Sequence, residues 1–494
     1  MNEQSRKKKI KLNIATNIVL KIAMALYTFV VARIIIGEYG SETNGLVSSI
    51  TNFLAYITLF ESGFGPVVKS VLYKPIAKKN NKEIRKILGA SESFFRKLSY
   101  IFIVYVVLLS IVYPLVVGKS IDFASTSILV VILAINTFLE YFVGMTYGLF
   151  LQAKQENYVI SIIKTIIYLL NLVLVLVLVK LDVSIYVLEL VTGVMFALKP
   201  IAQKIYVDRK HKLKPVFDTK YRIKQKWDGL VQHIASVVHT NTDVVVLTLF
   251  STLDEVSVYA VYFLAVKGVK MIAESFISGV DASFGDMLAK GEDIKEKFGK
   301  YETLYFSICT ICFATLMVMI TPFVSVYTKS VTDVDYIRYA FGYLIVISEF
   351  IWAIRQPYNE LVKVTGSFKQ TRKGALAECI INAVLSVILV FQFGLVGVAI
   401  GTVVAMAVRG IELVYYSNKY IMKRNIWESC KRMILIVIEV VVIVLVANVL
   451  PMLENSGYFN LILNGVMVLA VSLVVTLCAN AVFLKSSKRI LCGK

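Results

Sequence analysis

The residues with the most chemistry to offer are charged groups set inside long apolar runs. Lys267, Lys270 and Glu274 stand at i, i+3 and i+7, and so share one helical face. Asn13, Asn17 and Lys21 recur every four residues, with Thr28 continuing the stripe, which places another cation on a polar face. Asp243 follows Asn241, Arg409 sits near the middle of its run, and Glu61 precedes Ser62-Gly63-Phe64-Gly65-Pro66. Ammonium groups act on phosphate as point charges, which suits transient contact better than a bidentate guanidinium clamp does. The expected role of Lys21, Lys267, Lys270 and Arg409 is therefore to bind an anionic substrate. Glu61, Asp243 and Glu274 are expected to balance those charges or to couple an ion. Arg33, Lys164, Lys199 and Arg355 lie nearer the ends of their runs, where long basic side chains reach the headgroups, and they read as boundary residues.

Other chemistries lack their residues. The sequence contains no HExxH, Walker A, GxSxG or dinucleotide-binding pattern, so neither a catalytic residue nor ATP-driven transport within this chain is expected. The six cysteines are scattered, mostly in apolar runs, and Cys309 and Cys312 have no second pair to complete a zinc site. His233 and His239 are six apart and off a common helical face. No metal and no organic cofactor is expected.

The elements that position these charges must be membrane-spanning helices. Of 494 residues, 57% are apolar and 17% charged, against about 45–50% and about 25% in soluble domains. That balance excludes a soluble enzyme or a nucleic-acid partner, despite a formal charge of +20. A hydrocarbon core of about 30 Å takes roughly 20 helical residues to cross, and fourteen runs of that kind are expected, from 13–36 and 45–66 through 229–250 and 337–362 to 459–484. Most of the 53 Lys and Arg residues fall in alternate loops, whereas the other set holds only Lys119, Lys180, Lys329 and Arg338. The positive-inside rule then predicts a multi-pass protein of the cell membrane with both termini cytoplasmic. The basic loops also attract anionic membrane lipids. Loops on the opposite side are too short for an extracellular domain.

A shift of 210 residues lays the chain over itself. Phe53-Leu54-Ala55 meets Phe263-Leu264-Ala265, Thr192 meets Thr402, Lys199 meets Arg409, and Asn171 meets Asn382 with one residue of slip. The expected fold is all-α: parallel, pseudo-symmetric six-helix lobes at 13–206 and 229–417, a basic cytoplasmic linker at 207–228, and two further helices within 433–484. Two such lobes with a site between them form an alternating-access plan, with spans 1, 2, 7 and 8 expected to line the cleft.

Leu59-Phe60-Glu61-Ser62-Gly63-Phe64-Gly65, then Asn241-Thr242-Asp243 with Val256-Ser257-Val258-Tyr259, then Gly366-Ser367-Phe368-Lys369, Asn382 and Gly394-Leu395-Val396-Gly397 resemble, in order, the motifs of bacterial polysaccharide-unit flippases. These belong to the multidrug, oligosaccharidyl-lipid and polysaccharide exporter superfamily. The resemblance implies a flippase that moves an undecaprenyl-pyrophosphate-linked oligosaccharide from the cytoplasmic to the outer leaflet for cell-surface polysaccharide synthesis. It implies secondary transport on a Na+ or H+ gradient, and polysaccharide polymerase and export proteins as partners. A lipid II flippase or a multidrug extruder of the same superfamily is the alternative, although an extruder favours an acidic, aromatic-lined cavity. A membrane polymerase or glycosyltransferase is the alternative from another class; it needs a long external loop or a nucleotide-sugar domain, and the chain has neither.

Overall fold

The structure is a computed structural model of the 494-residue chain, and it describes residues 3–61, 63–117, 122–218, 230–277, 280–454 and 457–492. Every regular element among the described residues is helical. Residues 219–228 of the expected linker lie outside the described residues, as does Ser62.

The chain divides into two compact units, Met1–Asn241 and Thr242–Lys494. The first contains α1 (Glu3–Tyr39), α2 (Ser41–Ala55), α3 (Thr58–Glu61), α4 (Phe64–Ala77), α5 (Asn81–Val117), α6 (Phe123–Leu139), α7 (Met145–Ala153), α8 (Asn157–Lys180) and α9 (Ile185–His211). The boundary between the units falls inside α10 (Leu230–Phe250). The second holds α11 (Leu253–Ile277), α12 (Val280–Ala289), α13 (Lys295–Tyr327), α14 (Tyr339–Val364), α15 (Phe368–Tyr416), α16 (Ile426–Val449) and α17 (Tyr458–Cys492).

Ten helical stretches among the described residues are long and apolar enough to cross a membrane. The expected runs 45–66, 229–250 and 337–362 are not among them. The first is broken into α2, α3 and α4, with Gly63 at φ 85°, a backbone conformation that only glycine adopts without strain. The third falls in α14, which carries four charged groups, Glu349, Arg355, Glu360 and Lys363. Phe368–Met422 counts once, although Gly394, at φ 53° and ψ −131°, divides α15 into two limbs. The limbs then cross closely: a Cβ on Gly401 would lie 2.6 Å from Ser386 Oγ. Many apolar side chains of these helices are exposed, as a lipid-facing surface requires, while polar groups such as Asn171, Glu302 and Asn382 are fully buried.

In the first unit α1 packs on α8, α4 on α5 and α7, and α9 on both α6 and α8. Between α6 and α7 the helix passes through one π turn, Glu140–Gly144. Such a turn widens the backbone locally and re-aims the side chains on it. Linker residues 212–218 dock on the start of α5: Val216 N donates to Arg85 O at 2.9 Å, and Lys86 pairs with Asp218 at 2.8 Å. Gly89 makes this approach possible, since a Cβ there would overlap Val216 O.

Candidate functional site

Lys69, Lys164 and Lys199 line one cavity of about 240 Å³ in the first unit, together with Glu61, Glu140 and Gln203. They come from α4, α8, α9, α3 and the π turn, elements that run into the basic loops of the sequence. Lys199 Nζ stands 2.7 Å from Glu140 Oε2, and Tyr141 donates its hydroxyl to Glu61 Oε2 at 3.0 Å. Among the described residues, Lys69 and Lys164 make neither a hydrogen bond nor an ion pair. Three ammonium groups around one space repel one another, and two carboxylates offset them only in part. An anion entering the cavity relieves that repulsion.

The π turn sets this arrangement. Glu140 and Tyr141 both lie on it, one turned to Lys199 and the other to Glu61. Gly144, its last residue, lets α9 approach: a Cβ there would stand 2.7 Å from Pro200 Cβ and 3.0 Å from Glu140 Oε2. Gln203, buried one turn beyond Lys199, has a side-chain oxygen with no hydrogen-bond partner among the described residues.

Of the residues given a substrate-binding or charge-balancing role from sequence, Glu61 alone lines this cavity. Lys164 and Lys199, read there as boundary residues, line it too; the signal that pointed elsewhere was their nearness to run ends. Lys21 is half-buried on α1 in the first unit, and Lys267, Lys270 and Glu274 belong to α11 in the second. Asn13, on the stripe with Lys21, is engaged by the loop before α8: it donates to Gln155 O at 3.2 Å and accepts from Tyr158 N at 2.7 Å.

The expected Lys267, Lys270, Glu274 face is divided. Lys267 and Glu274 are exposed, whereas Lys270 pairs with Glu349 at 2.7 Å and lies 3.9 Å from the Trp352 ring centre. The carboxylate that balances Lys270 is thus on α14, not Glu274, because the packing of α11 on α14 brings those side chains together. Arg409 is buried at 3% exposure and donates to Thr371 O at 2.8 Å and to Glu412. Glu378 lies 3.8 Å from Arg409 and pairs with Arg355 at 2.6 Å. Both guanidinium groups are committed within the second unit.

Among the described residues, Asp243 pairs with hydroxyl groups and with no lysine. Thr402 Oγ1 lies 2.8 and 2.9 Å from its two oxygens, and Tyr259 donates to it at 3.3 Å. Asn382 donates to Thr402 at 3.2 Å, and Val398 O lies 3.2 Å from the same hydroxyl. Asp243 is thus a buried carboxylate satisfied by hydroxyl groups, one of them on the second limb of α15. The residues paired by the 210-residue shift have alike surroundings in the first unit: Thr192 Oγ1 is 3.5 Å from Asn171 Oδ1, and Asn171 donates to Tyr27 OH at 3.0 Å.

No family model and no curated protein sequence matches this chain. Solved structures do. The lipid II flippase MurJ, in an inward closed conformation, superposes with a TM-score of 0.72 at 15% identity, over 97% of this chain and 100% of that chain. An inward-facing multidrug resistance MATE family transporter of the MOP superfamily gives 0.58 at 14% identity, over 81% of this chain and 97% of its own. The MATE multidrug transporter DinF-BH, in complex with R6G, gives 0.58 at 17% identity, over 83% and 95%. The chain therefore has the transporter fold that these flippase and multidrug proteins share.

Proposed function

We propose that this protein is an alternating-access flippase that moves an undecaprenyl-pyrophosphate-linked oligosaccharide from the cytoplasmic to the outer leaflet of the cell membrane. The observation that carries the reading is the cavity of Lys69, Lys164 and Lys199, of about 240 Å³ and walled by two already engaged carboxylates. A pyrophosphate needs a wet, cationic space, while its lipid tail stays in hydrocarbon. Both termini face the cytoplasm in this reading, so the cavity lies toward the leaflet where lipid-linked sugars are assembled. The Asp243 cluster, a buried carboxylate met by hydroxyl groups, holds the coupling cation, Na+ or H+.

The fold shared with a lipid II flippase favours a second substrate of the same chemical kind, another lipid-linked pyrophosphate. The fold shared with multidrug transporters favours the extruder reading less, because the cavity is basic where a cationic drug calls for an acidic one.

Proteoliposomes carrying labelled lipid-linked oligosaccharide, lipid II or a cationic dye separate the three. Leaflet exchange of the oligosaccharide, abolished in a Lys164→Gln variant, is expected. Exchange of lipid II alone moves the assignment to cell-wall precursor transport, and efflux of the dye alone sinks the flippase reading. Cysteines placed at the exposed positions Glu38 and Asn80 test the orientation: an impermeant reagent outside the cell should reach position 38 and not 80.

A further inference from the structure

Helices α13, α16 and α17 pack on one another in the second unit. Two contacts fix the register of α17 on α13: Asn480 donates to Ser307 Oγ at 3.1 Å, and the hydroxyls of Thr315 and Ser472 lie 3.1 Å apart. A cavity of about 10 Å³, lined by Phe306, Ser307, Arg432, Ile436 and Asn480, sets α16 at the first of these levels. One helical turn further along α13 the same registers bring Thr310, Glu439 and Thr476 to a common level. Thr310 points between the directions of Phe306 and Ser307, and Glu439 between those of Leu435 and Ile436, so both aim into the seam that the small cavity occupies.

All three residues are buried: Glu439 is 1% exposed, Thr310 and Thr476 0%. Among the described residues, neither carboxyl oxygen of Glu439 has a hydrogen-bond partner, and neither do the two threonine hydroxyls. The cations near this level are spoken for: Arg432 and Arg424 both bind Glu302, nearer the Lys295 end of α13. The thiols of Cys309 and Cys312, on the facing turn of α13, give Glu439 no hydrogen bond. Beyond, Met319, Ala447, Leu461 and Val468 close the seam with apolar side chains. An ionised carboxylate alone in such surroundings costs many kcal/mol, and a group so placed takes up a proton instead.

We propose that Glu439 is a proton-binding site, a carboxyl loaded with one proton in the seam of α13, α16 and α17. The proton reaches it from the Lys295 end of α13, past Asn480, Ser307 and the small cavity. Uptake converts a carboxylate to a carboxylic acid and moves no other atom. In the loaded form the acid donates to one of the Thr310 and Thr476 hydroxyls and its carbonyl oxygen accepts from the other. The site shares no residue with the lysine cavity or with the Asp243 cluster, so its test does not depend on either.

The test uses the purified full-length protein in lipid bilayers at pH 7. The infrared spectrum of the wild type should contain the carbonyl stretch of a protonated carboxyl that is missing from a Glu439→Gln variant, whose amide keeps the size and hydrogen-bonding capacity of the neutral acid. Thr310→Val or Thr476→Val should shift that band. A hydrophobic carbodiimide, which reacts with protonated carboxyls, should form an adduct mapped to Glu439 by mass spectrometry, in a yield that falls as pH rises. Carbonyl bands that superpose in wild type and Glu439→Gln overturn the proposal. Should that variant fail to fold, the wild-type adduct decides: modification at Glu439 supports the site, and its absence at every pH tested overturns it.

Discussion

Lys199 and Glu140 face each other at 2.7 Å, one from α9 and the other from the π turn that interrupts the helix between α6 and α7. The pair engages Glu140 while Glu61 accepts from Tyr141, and among the described residues Lys69 and Lys164 have no ion pair of their own. The first unit thus holds a cationic space that is incompletely neutralised, walled by helices and bordered by two irregular segments, the π turn and the break at Gly63.

Lys69→Gln and Lys164→Gln should each weaken the binding of inorganic pyrophosphate, used as a probe of the cavity. A hydrogen bond to a charged group contributes about 1.5–3 kcal/mol, or roughly ten- to a hundredfold in affinity. Isothermal titration of the detergent-solubilised protein measures it. Lys267→Gln, a change at an exposed residue of the second unit, should leave that affinity unaltered. Equal losses for Lys267→Gln and Lys164→Gln would mean that the anion binds elsewhere.

Gly144→Ala and Gly148→Ala separate positioning from bulk. At Gly144 the added methyl meets Pro200 Cβ at 2.7 Å, and overpacking of this kind costs roughly 1–3 kcal/mol. At Gly148 the nearest atom is Gln203 Oε1 at 3.5 Å, an ordinary contact. The first substitution should lower the melting temperature and displace Glu140 from Lys199, with pyrophosphate binding reduced; the second should do neither.

Glu302→Ala should be the most destabilising single change in the second unit. Glu302 is fully buried and accepts from Arg424 at 3.0 Å, from Arg432, from Ser429 at 3.0 Å and from Tyr358. Its loss strands two guanidinium groups, and breaking a buried pair costs about 3–5 kcal/mol. Thermal unfolding in detergent checks this. A melting temperature unchanged from wild type would show that the arginines find other partners.

Acid stability should report Glu156, which lies in the turn between α7 and α8. Burial works to raise its carboxyl, but hydrogen bonds from His211 at 2.9 Å and Lys9 at 3.0 Å prevail and hold it down at about 2. A carboxyl lower in the folded than in the unfolded chain adds stability that is complete above its ordinary value of 4.5 and is lost as pH falls toward about 2. The melting temperature of the wild type should fall across that window. Glu156→Gln should lower it at neutral pH and flatten the acid limb, and an acid limb that is unchanged in this variant would assign the transition to other carboxylates.

Helical class, the apolar runs and the alternation of basic loops follow from composition and local periodicity, which the sequence carries by itself. So does the isolation of Asp243 and Arg409 within apolar surroundings, since a charge amid twenty hydrophobic residues is visible without a fold. What tertiary packing decided is partnership. Lys164 and Lys199 look like boundary lysines in isolation, and they become cavity residues only because α8 and α9 close on a π turn that no residue type demands. Lys270 and Glu349 are 79 residues apart, and their pairing depends on which face α11 turns to α14. A charge in a membrane must be neutralised by whatever its own helix face meets, and that face is chosen by the burial of many apolar side chains at once, not by the few residues that carry the charge.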